Sequence, residues 1–345
     1  MKSKPTTILL LALLTTIFAA SPLHAQSTGA FIVAAFNVEN WNEIERHGTP
    51  GQPKPQSEKD AVVNVITTIH PDVLGIEEMG TTNDLAELVG MLRAKGLDYP
   101  NQEWIQSSDE ARHVSLISSY PIAQRNSRTD YNYLLDGKPT RIQRGILDVL
   151  VKVNDSYSFR ALVVHLKSKR ASDIGDQVKM RLEEARLLRA HIGKILKDSP
   201  QQKLIVMGDF NDTPDSEPIR VIIGEPPFTL FALRPLDSTG GNGTHFWRAR
   251  HEFSRIDYLI TSPAMSNDYV SGSAHIADLE GWDKASDHRM VYASFRDHDR
   301  GAVAAAPPAP PRPSQAPLWI LVAVIVAAAT AVFLARGKPS PSAEG

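Results

Sequence analysis

The chain has 345 residues, 42% of them hydrophobic and 22% charged, which is too apolar for a disordered chain and enough to bury one large core or two small ones. A formal net charge of -2 excludes a global basic field, so any polyanionic partner has to be held by local cations. With no cysteine in the sequence, disulfides contribute nothing to stability.

In chain order, residues 1–25 carry Lys2 and Lys4, an apolar run from Ile8 to Ala20 and a small-residue exit ending at Ala25. That layout is expected of a secretory signal peptide cleaved after Ala25. From Thr28 to Arg300 short apolar strands alternate with helices. "FIVAAFNV", "DVLGIEE", "HVSLISS", "GILDVLVKV", "FRALVVHL", "KLIVMGDF", "RIDYLITS" and "MVYASF" read as strands, being β-branched or aromatic runs bounded by turn residues. "SEKDAVVNVITTIH" has helical periodicity with Ser57 as its N-cap, and "DIGDQVKMRLEEARLLRAHIGKILKD" repeats apolar residues at helical spacing. Several strands are apolar on both faces, so the expected class is α/β, with two packed sheets flanked by helices.

Beyond this body, residues 301–317, "GAVAAAPPAPPRPSQAP", form an Ala/Pro-rich segment expected to stay extended as a semi-rigid linker. Residues 318–335 are uncharged and as a helix would reach about 27 Å, the length of a transmembrane helix. Arg336 and Lys338 open a short basic tail, 336–345, which the positive-inside bias places in the cytoplasm. The expectation is a membrane-anchored protein whose body is exported to the periplasmic or extracellular face.

Polar residues recur at strand ends. Asn37 and Glu39 close the first strand, Glu77 and Glu78 the second, His165 the "VVHL" strand, and Asp209 and Asn211 the "GDFN" strand. Asp257 sits in "RIDY", and Ser286, Asp287 and His288 precede the last strand. Singly, a strand-end Asn reads as a turn, and a His on an apolar strand as a core histidine. Together they occupy the edge where α/β sheets bind ligands, so one cleft is expected to collect them.

"FNVEN", "DVLGIEEM", "VSLISSYPI", "VVHLKSK", "GDFNDTPDS", "SRIDYLITS" and "SDHRMV", taken in this order, resemble the successive signatures of the endonuclease/exonuclease/phosphatase superfamily, the deoxyribonuclease-I-like fold. The resemblance spans Phe31 to Phe295 and implies a four-layered α/β sandwich with a divalent-metal site, in an exported bacterial member. It implies Asn37, Glu78 and Asp287 as metal ligands, whose oxygen donors suit Mg²⁺, with Mn²⁺ or Ca²⁺ as alternatives. His165, Asp209, Asn211, Asp257 and His288 are implied as catalytic. Asp257 would orient His288, Asp209 would position or deprotonate the water, Asn211 would donate to a phosphoryl oxygen, and His165 would assist the leaving group. Where the family carries Gln, this chain has Glu77, expected to add negative charge beside Glu78.

The implied activity is hydrolysis of a phosphodiester. Lys167, Lys169 and Arg170 follow the cleft histidine, and Arg141, Arg144, Arg248, Arg250 and Arg255 lie near other motifs. Such cations suit an endonuclease that tracks the backbone of DNA or RNA. A phospholipid or sphingomyelin phosphodiesterase and an inositol-phosphate-type phosphomonoesterase share the same core, although the sequence shows no obvious exposed aromatic hairpin to enter a bilayer. A non-catalytic binding module is the third reading, opposed by the intact residue set. No obligate protein partner is expected.

Overall fold

The computed structural model describes residues 29–42, 44–46 and 49–298. The signal peptide, linker, transmembrane helix and tail expected at 1–25 and 301–345 lie outside the described residues. Among the described residues, no helix is long and apolar enough to cross a membrane.

Strand β1 (Ala30–Asn37) leads through a hairpin of β2 (Ile44–Arg46) and β3 (Thr49–Gln52) to helix α1 (Gln56–Ile69) and β4 (Val73–Met79). Helix α2 (Thr82–Ala94) precedes β5 (Asn101–Ile105), β6 (His113–Ser118), β7 (Ile122–Arg125), the hairpin β8 (Asn132–Leu135) with β9 (Lys138–Arg141), β10 (Leu147–Lys152) and β11 (Ser158–His165). Then follow α3 (Gln177–Asp198), β12 (Leu204–Asp209), α4 (Glu217–Ile223), β13 (Phe231–Ala232), the hairpin β14 (His245–Trp247) with β15 (Glu252–Ser254), and β16 (Asp257–Thr261). Helix α5 (Pro263–Ser266), β17 (His275–Ile276), α6 (Trp282–Ala285) and β18 (Val291–Arg296) complete the body.

Two mixed six-stranded sheets result, one ordered β17-β18-β1-β4-β6-β5 and the other β13-β16-β12-β11-β10-β7. Side chains alternate between the two faces of a strand, and the burial pattern uses that alternation. Phe31, Val33 and Ala35 of β1 join Phe159, Ala161 and Val163 of β11 and Ile205 and Met207 of β12 in one core between the sheets. The opposite face of β1, Ala34 and Phe36, packs with Val62 and Ile66 of α1 and Leu85 and Leu88 of α2. The outer face of the second sheet, including Leu162, Val164, Leu204 and Val206, packs with Leu188, Ile192 and Ile195 of α3. Helix, sheet, sheet and helix therefore stack in four layers, as the strand pattern implies, and each fully buried Leu or Ile contributes roughly 1.5–3 kcal/mol.

Local differences from the sequence expectation have simple causes. Helix α1 starts at Gln56 with Pro55 at the N-cap, so Ser57 lies inside the first turn rather than capping it. The carbonyl of Pro55 accepts from the amides of Glu58 and Lys59 instead. Helix α3 begins at Gln177, where the Asp176 side chain accepts from the amides of Val178 and Lys179, leaving Asp173 outside. Helix α2 goes unpredicted in sequence, although Thr81 and Asp84 form a capping box ahead of Leu85, Leu88, Val89 and Leu92.

Candidate active site

The inward faces that build the inter-sheet core continue, one step further along each strand, into polar residues. Asn37 follows Phe31, Val33 and Ala35 at the period of two, Glu77 follows Val73 and Gly75, His165 follows Ala161 and Val163, and Asp209 follows Ile205 and Met207. Register then lines them up: His165 pairs with Asp209, Asp209 with Asp257, and Asn37 with Glu77. Directly opposed residues share a face of the sheet. The site is thus the polar mouth of the apolar layer.

Gly208 makes this closeness tolerable. At its φ of 127°, a Cβ would stand 2.1 Å from the Val164 carbonyl oxygen and 2.8 Å from Glu77 Oε1, inside contact distance of both. Glu78, inside β4 where the ladder is interrupted, and Asn211, just past β12, turn into the left-handed region, with φ of 59° and 54°. The β4–β6 register shifts between Ile76 and Met79, so the pleat is broken at the glutamate pair: Glu77 is fully buried while Glu78 is only partly covered. Side chains held in sparsely populated backbone conformations concentrate at functional sites.

Across the sheets, Asn37 Nδ2 donates to Asp209 Oδ2 at 3.1 Å, and the Asn37 oxygen accepts from the Glu39 amide at 3.0 Å. Asp209 also accepts from the Asn211 amide at 2.8 Å and from Asn211 Nδ2 at 3.0 Å. The other donation from Asn211 Nδ2 goes to the Leu166 carbonyl at 3.0 Å. Both amide hydrogens of Asn211 are therefore committed to the protein. It steadies Asp209 here instead of pointing a donor outward for a phosphoryl oxygen.

His288 Nδ1 lies 3.0 Å from each oxygen of Asp257. Its Nε2 faces Asp209 Oδ2 at 3.8 Å and Asp287 Oδ1 at 3.9 Å. His165 Nε2 lies 3.5 Å from Asp209 Oδ2 and 3.9 Å from Glu78 Oε1, and Arg112 Nε lies 4.0 Å from Glu78 Oε2. Asp287 sits at 3.7 Å from His245 Nε2, and its amide donates to Glu39, which grips Arg248 with both carboxylate oxygens.

Burial sets the charge states. It lifts Asp209 to about 7, reinforced by Asp257 and Glu78 and opposed by His288. Glu77 is pushed well above the usual carboxylate range by burial, then by Asp257 and Asp209. Neither of its oxygens has a hydrogen-bond partner among the described residues. Burial thus favours the neutral acid at Glu77 and works against the extra negative charge expected beside Glu78. Burial disfavours the His288 cation, but Asp257 and Asp209 outweigh it and hold His288 well above the ordinary imidazole value. His165 is driven the other way by burial and by Arg144, His288 and Arg112, and stays neutral. For Asp287, the fields of His245, His288 and Arg248 overcome burial and keep it ionised.

The cations foreseen from sequence disperse. Lys167 is buried, with Nζ donating to Ser168 and to the Arg170 carbonyl, so it braces its own loop rather than facing a ligand. Arg144 is buried against Asp109 at 3.0 Å, Lys169 pairs with Asp212 at 3.3 Å, and Arg170 is exposed. Arg141 donates to the Thr129 carbonyl, Arg250 stacks on Trp247 at 4.4 Å, and Arg255 lies over Tyr258 at 4.9 Å.

Three neighbours of the site went unnoticed in sequence. Arg112 precedes β6, the strand paired with β4, and that register was its only signal. His245 and Thr244 sit at the base of the β14–β15 hairpin. Thr244 Oγ1 accepts from the amides of Ile256 and Asp257 at 3.0 Å each, and His245 bridges to His288. That hairpin also exposes Trp247 and Phe253, 48% and 51% accessible, so the chain does present an exposed aromatic hairpin beside the site.

Asn37, Glu78 and Asp287 offer oxygen donors only. Glu78 and Asp287 are partly covered side chains bordering the same mouth, a donor set that fits a hard divalent cation. Residues 46–288 match the Endonuclease/Exonuclease/phosphatase family. No curated protein matches the sequence. Among solved structures, the catalytic domain of human Nocturnin with bound sulfate anion is similar at a TM-score of 0.56 and 16% identity, over 78% of this chain and 95% of that one. An endonuclease/exonuclease/phosphatase from Bacteroides vulgatus gives 0.56 and 17%, over 78% and 99%. Sphingomyelinase C from Streptomyces griseocarneus gives 0.51 and 14%, over 77% and 99%. At such identities these likenesses establish the fold.

Proposed function

Because this chain belongs to the endonuclease/exonuclease/phosphatase family, whose members hydrolyse phosphoester bonds, we propose that it is a divalent-metal-dependent phosphodiesterase acting on nucleic acid, as an endonuclease. The observation that carries the reading is the open side of the mouth: the Nε2 of a cationic His288 and a carboxylate of Asp209 lifted to about 7 face each other at 3.8 Å without bonding.

In the proposed reaction, Asp209 takes a proton from water as the water oxygen bonds to phosphorus, the phosphorus–alkoxide bond breaks, and the leaving alkoxide takes a proton from solvent. A base is most effective when its pKa lies near the working pH. His288, held by Asp257, offers its Nε2 proton to charge building on the phosphoryl oxygens. Asn37 and Asn211 hold Asp209 in place by donating to it. His165, neutral and 3.5 Å from Asp209, stands where it can bond the leaving oxygen. A cation such as Mg²⁺ on Asn37, Glu78 and Asp287 would supply neutralisation of the phosphoryl oxygens.

Nucleic acid is supported by the exposed Arg170, together with Lys169 and Arg112, which pair with Asp212 and Glu78, cations that suit backbone phosphates. A second reading, a phospholipid phosphodiesterase, is supported by Trp247 and Phe253 on the exposed hairpin. We further propose export by residues 1–25 and anchoring by 318–335, with 301–317 as the stalk and 336–345 inside. A substrate panel of plasmid DNA, RNA, sphingomyelin, inositol phosphates and a bis-aryl phosphodiester, each with and without Mg²⁺, tests the activity. Turnover of sphingomyelin with none of DNA or RNA would replace the first reading by the second. Mass spectrometry of the membrane fraction tests the topology, which predicts a chain starting near Gln26 and retaining Gly345.

A further inference from the structure

Beside the oxygen donors of Asn37 and Glu78, Asp287 faces two imidazoles. Its Oδ2 lies 3.7 Å from His245 Nε2 and its Oδ1 lies 3.9 Å from His288 Nε2, and one donor atom from each residue falls within 4.8 Å of the other two. These separations are too long for hydrogen bonds. A tetrahedral ion with bonds of about 2.0–2.1 Å spaces its ligands by roughly 3.4 Å; the 3.7 and 3.9 Å gaps, each to a different oxygen of Asp287, come near that spacing, and the donor set as a whole has to contract from within 4.8 Å.

The supporting contacts point the same way. Asp257 takes the Nδ1 side of His288, and Ser254 Oγ lies 3.4 Å from Nδ1 of His245. Both rings therefore turn Nε2 toward the carboxylate, and a carboxylate behind a liganding imidazole is the common arrangement in metal sites. The backbones are tied as well: the Phe246 amide donates to the Asp287 carbonyl at 2.8 Å, and that of Arg289 to the Thr244 carbonyl at 2.6 Å. The rings stand 4.7 Å apart with 53° between their planes, so they converge on the gap without stacking across it. His245 and Asp287 are partly exposed while His288 is buried behind them, so entry is from the His245–Asp287 side.

We propose that His245, Asp287 and His288 form a second cation site that takes a borderline metal ion such as Zn²⁺, sharing Asp287 with the oxygen-only Mg²⁺ set and differing from it by two imidazole nitrogens. Two nitrogens and one oxygen select against Mg²⁺, which favours oxygen and an octahedral shell. Occupancy takes up His288 Nε2, so that atom no longer reaches a phosphoryl oxygen of the substrate. Zn²⁺ bound here is an inhibitor, a consequence that rests on the role proposed above for His288.

Binding and inhibition are separately measurable. The full-length protein, stripped of divalent ions, is titrated with Zn²⁺ by calorimetry and with Co²⁺ by visible absorption. Expected is one equivalent of Zn²⁺ whose Kd weakens at least tenfold in both His245→Ala and His245→Gln, with loss of the Co²⁺ ligand-field bands. Glu78→Gln should keep that Kd within about twofold. Wild-type Zn²⁺ affinity in both His245 variants, or its loss in Glu78→Gln, overturns the site. In the presence of Mg²⁺, Zn²⁺ should inhibit cleavage of a bis-aryl phosphodiester at concentrations near its Kd, and His245→Gln should need at least tenfold more. Stoichiometric Zn²⁺ bound through His245 with cleavage unchanged overturns the inhibition. A protein that cleaves no substrate but binds Zn²⁺ through His245 refutes the proposed activity and upholds the site.

Discussion

The pair Asp257–His288 at the mouth of the inter-sheet layer and the pair Asp148–His191 beneath α3 are both buried carboxylate–imidazole contacts, yet their surroundings differ. Asp148 binds Arg160 through both oxygens and His191 Nε2 at 2.6 Å, while His191 Nδ1 meets the Tyr131 hydroxyl at 2.8 Å. Every polar atom of that histidine is satisfied. His288 spends one nitrogen on Asp257 and leaves the other facing two acids across gaps of 3.8 and 3.9 Å. A saturated buried network holds structure together, whereas an unsaturated one keeps bonding capacity for a reacting group. Residue type and burial are alike in the two places, so unfilled valence is what marks the site.

The widest separation between the pairs should come from removing each histidine. His288→Ala should lower kcat by about 10²–10⁴-fold and, because it strands the buried Asp257 carboxylate, lower stability as well. His191→Ala should cost roughly 2 kcal/mol of stability through the stranded Asp148 and Tyr131 and leave kcat per folded molecule intact. Steady-state kinetics with denaturant titration checks both, and equal kinetic damage from both would erase the distinction. Adding Asp209→Ala to His288→Ala should lower kcat little further, since groups acting as a unit are not additive.

Next in size is Glu78→Gln, which keeps shape and removes charge. At saturating substrate and limiting Mg²⁺ it should cut turnover by at least about 10²-fold, partly restored by excess Mg²⁺. Parental turnover without added Mg²⁺ would refute Glu78 as a ligand.

Glu77 sharpens the comparison through pH, because it is unsatisfied without being exposed. Its folded-state pKa is raised, so the acid contributes stability that is complete below its ordinary value of 4.5 and is lost as pH rises toward the folded value. Glu77→Gln has no such loss. In buffer with a chelator, its stability relative to the parent should climb from pH 4.5 upward, by more than about 1 kcal/mol at pH 8. A flat difference across that range would show Glu77 ionised in the fold.

The smallest effect is on the rim. Replacing Lys169 and Arg170 by Gln should flatten the salt dependence of log kcat/KM for DNA by at most about 2, one phosphate contact each, and spare a bis-aryl phosphodiester. Lys167, tied into its own loop, is the wrong residue for that test: Lys167→Gln should lower stability and affect both substrates alike.

How much of this was legible can be followed along single strands. Alternation of Phe31, Val33 and Ala35 predicts an inward face, and Asn37 is visible as the polar residue that continues it; the same holds for His165 after Val163 and Asp209 after Met207. Lys167 was misread because charge in sequence carries no direction: the Lys167 amide bonds to Glu184 at 2.7 Å and its carbonyl accepts from Arg181 at 2.9 Å, which pins the loop inward. The aromatic hairpin was missed because the exposure of Trp247 and Phe253, which the β14–β15 register sets on opposite faces of the hairpin, depends on what the rest of the chain leaves uncovered.

Residue patterns along the chain carry the fold class, the apolar strands β1, β4, β6, β10, β11, β12, β16 and β18, and the polar residues at their ends, because period-two burial is a property of neighbouring residues on one strand; the edge strands β5, β7, β13 and β17 lack that pattern and went unread. Tertiary contacts are what raise the Glu77 pKa, commit the Asn211 donors to Leu166 and Asp209, and bring Arg112 and His245 to the site. Those outcomes depend on desolvation and on contacts between sheets and loops far apart in the chain, and no local pattern encodes them.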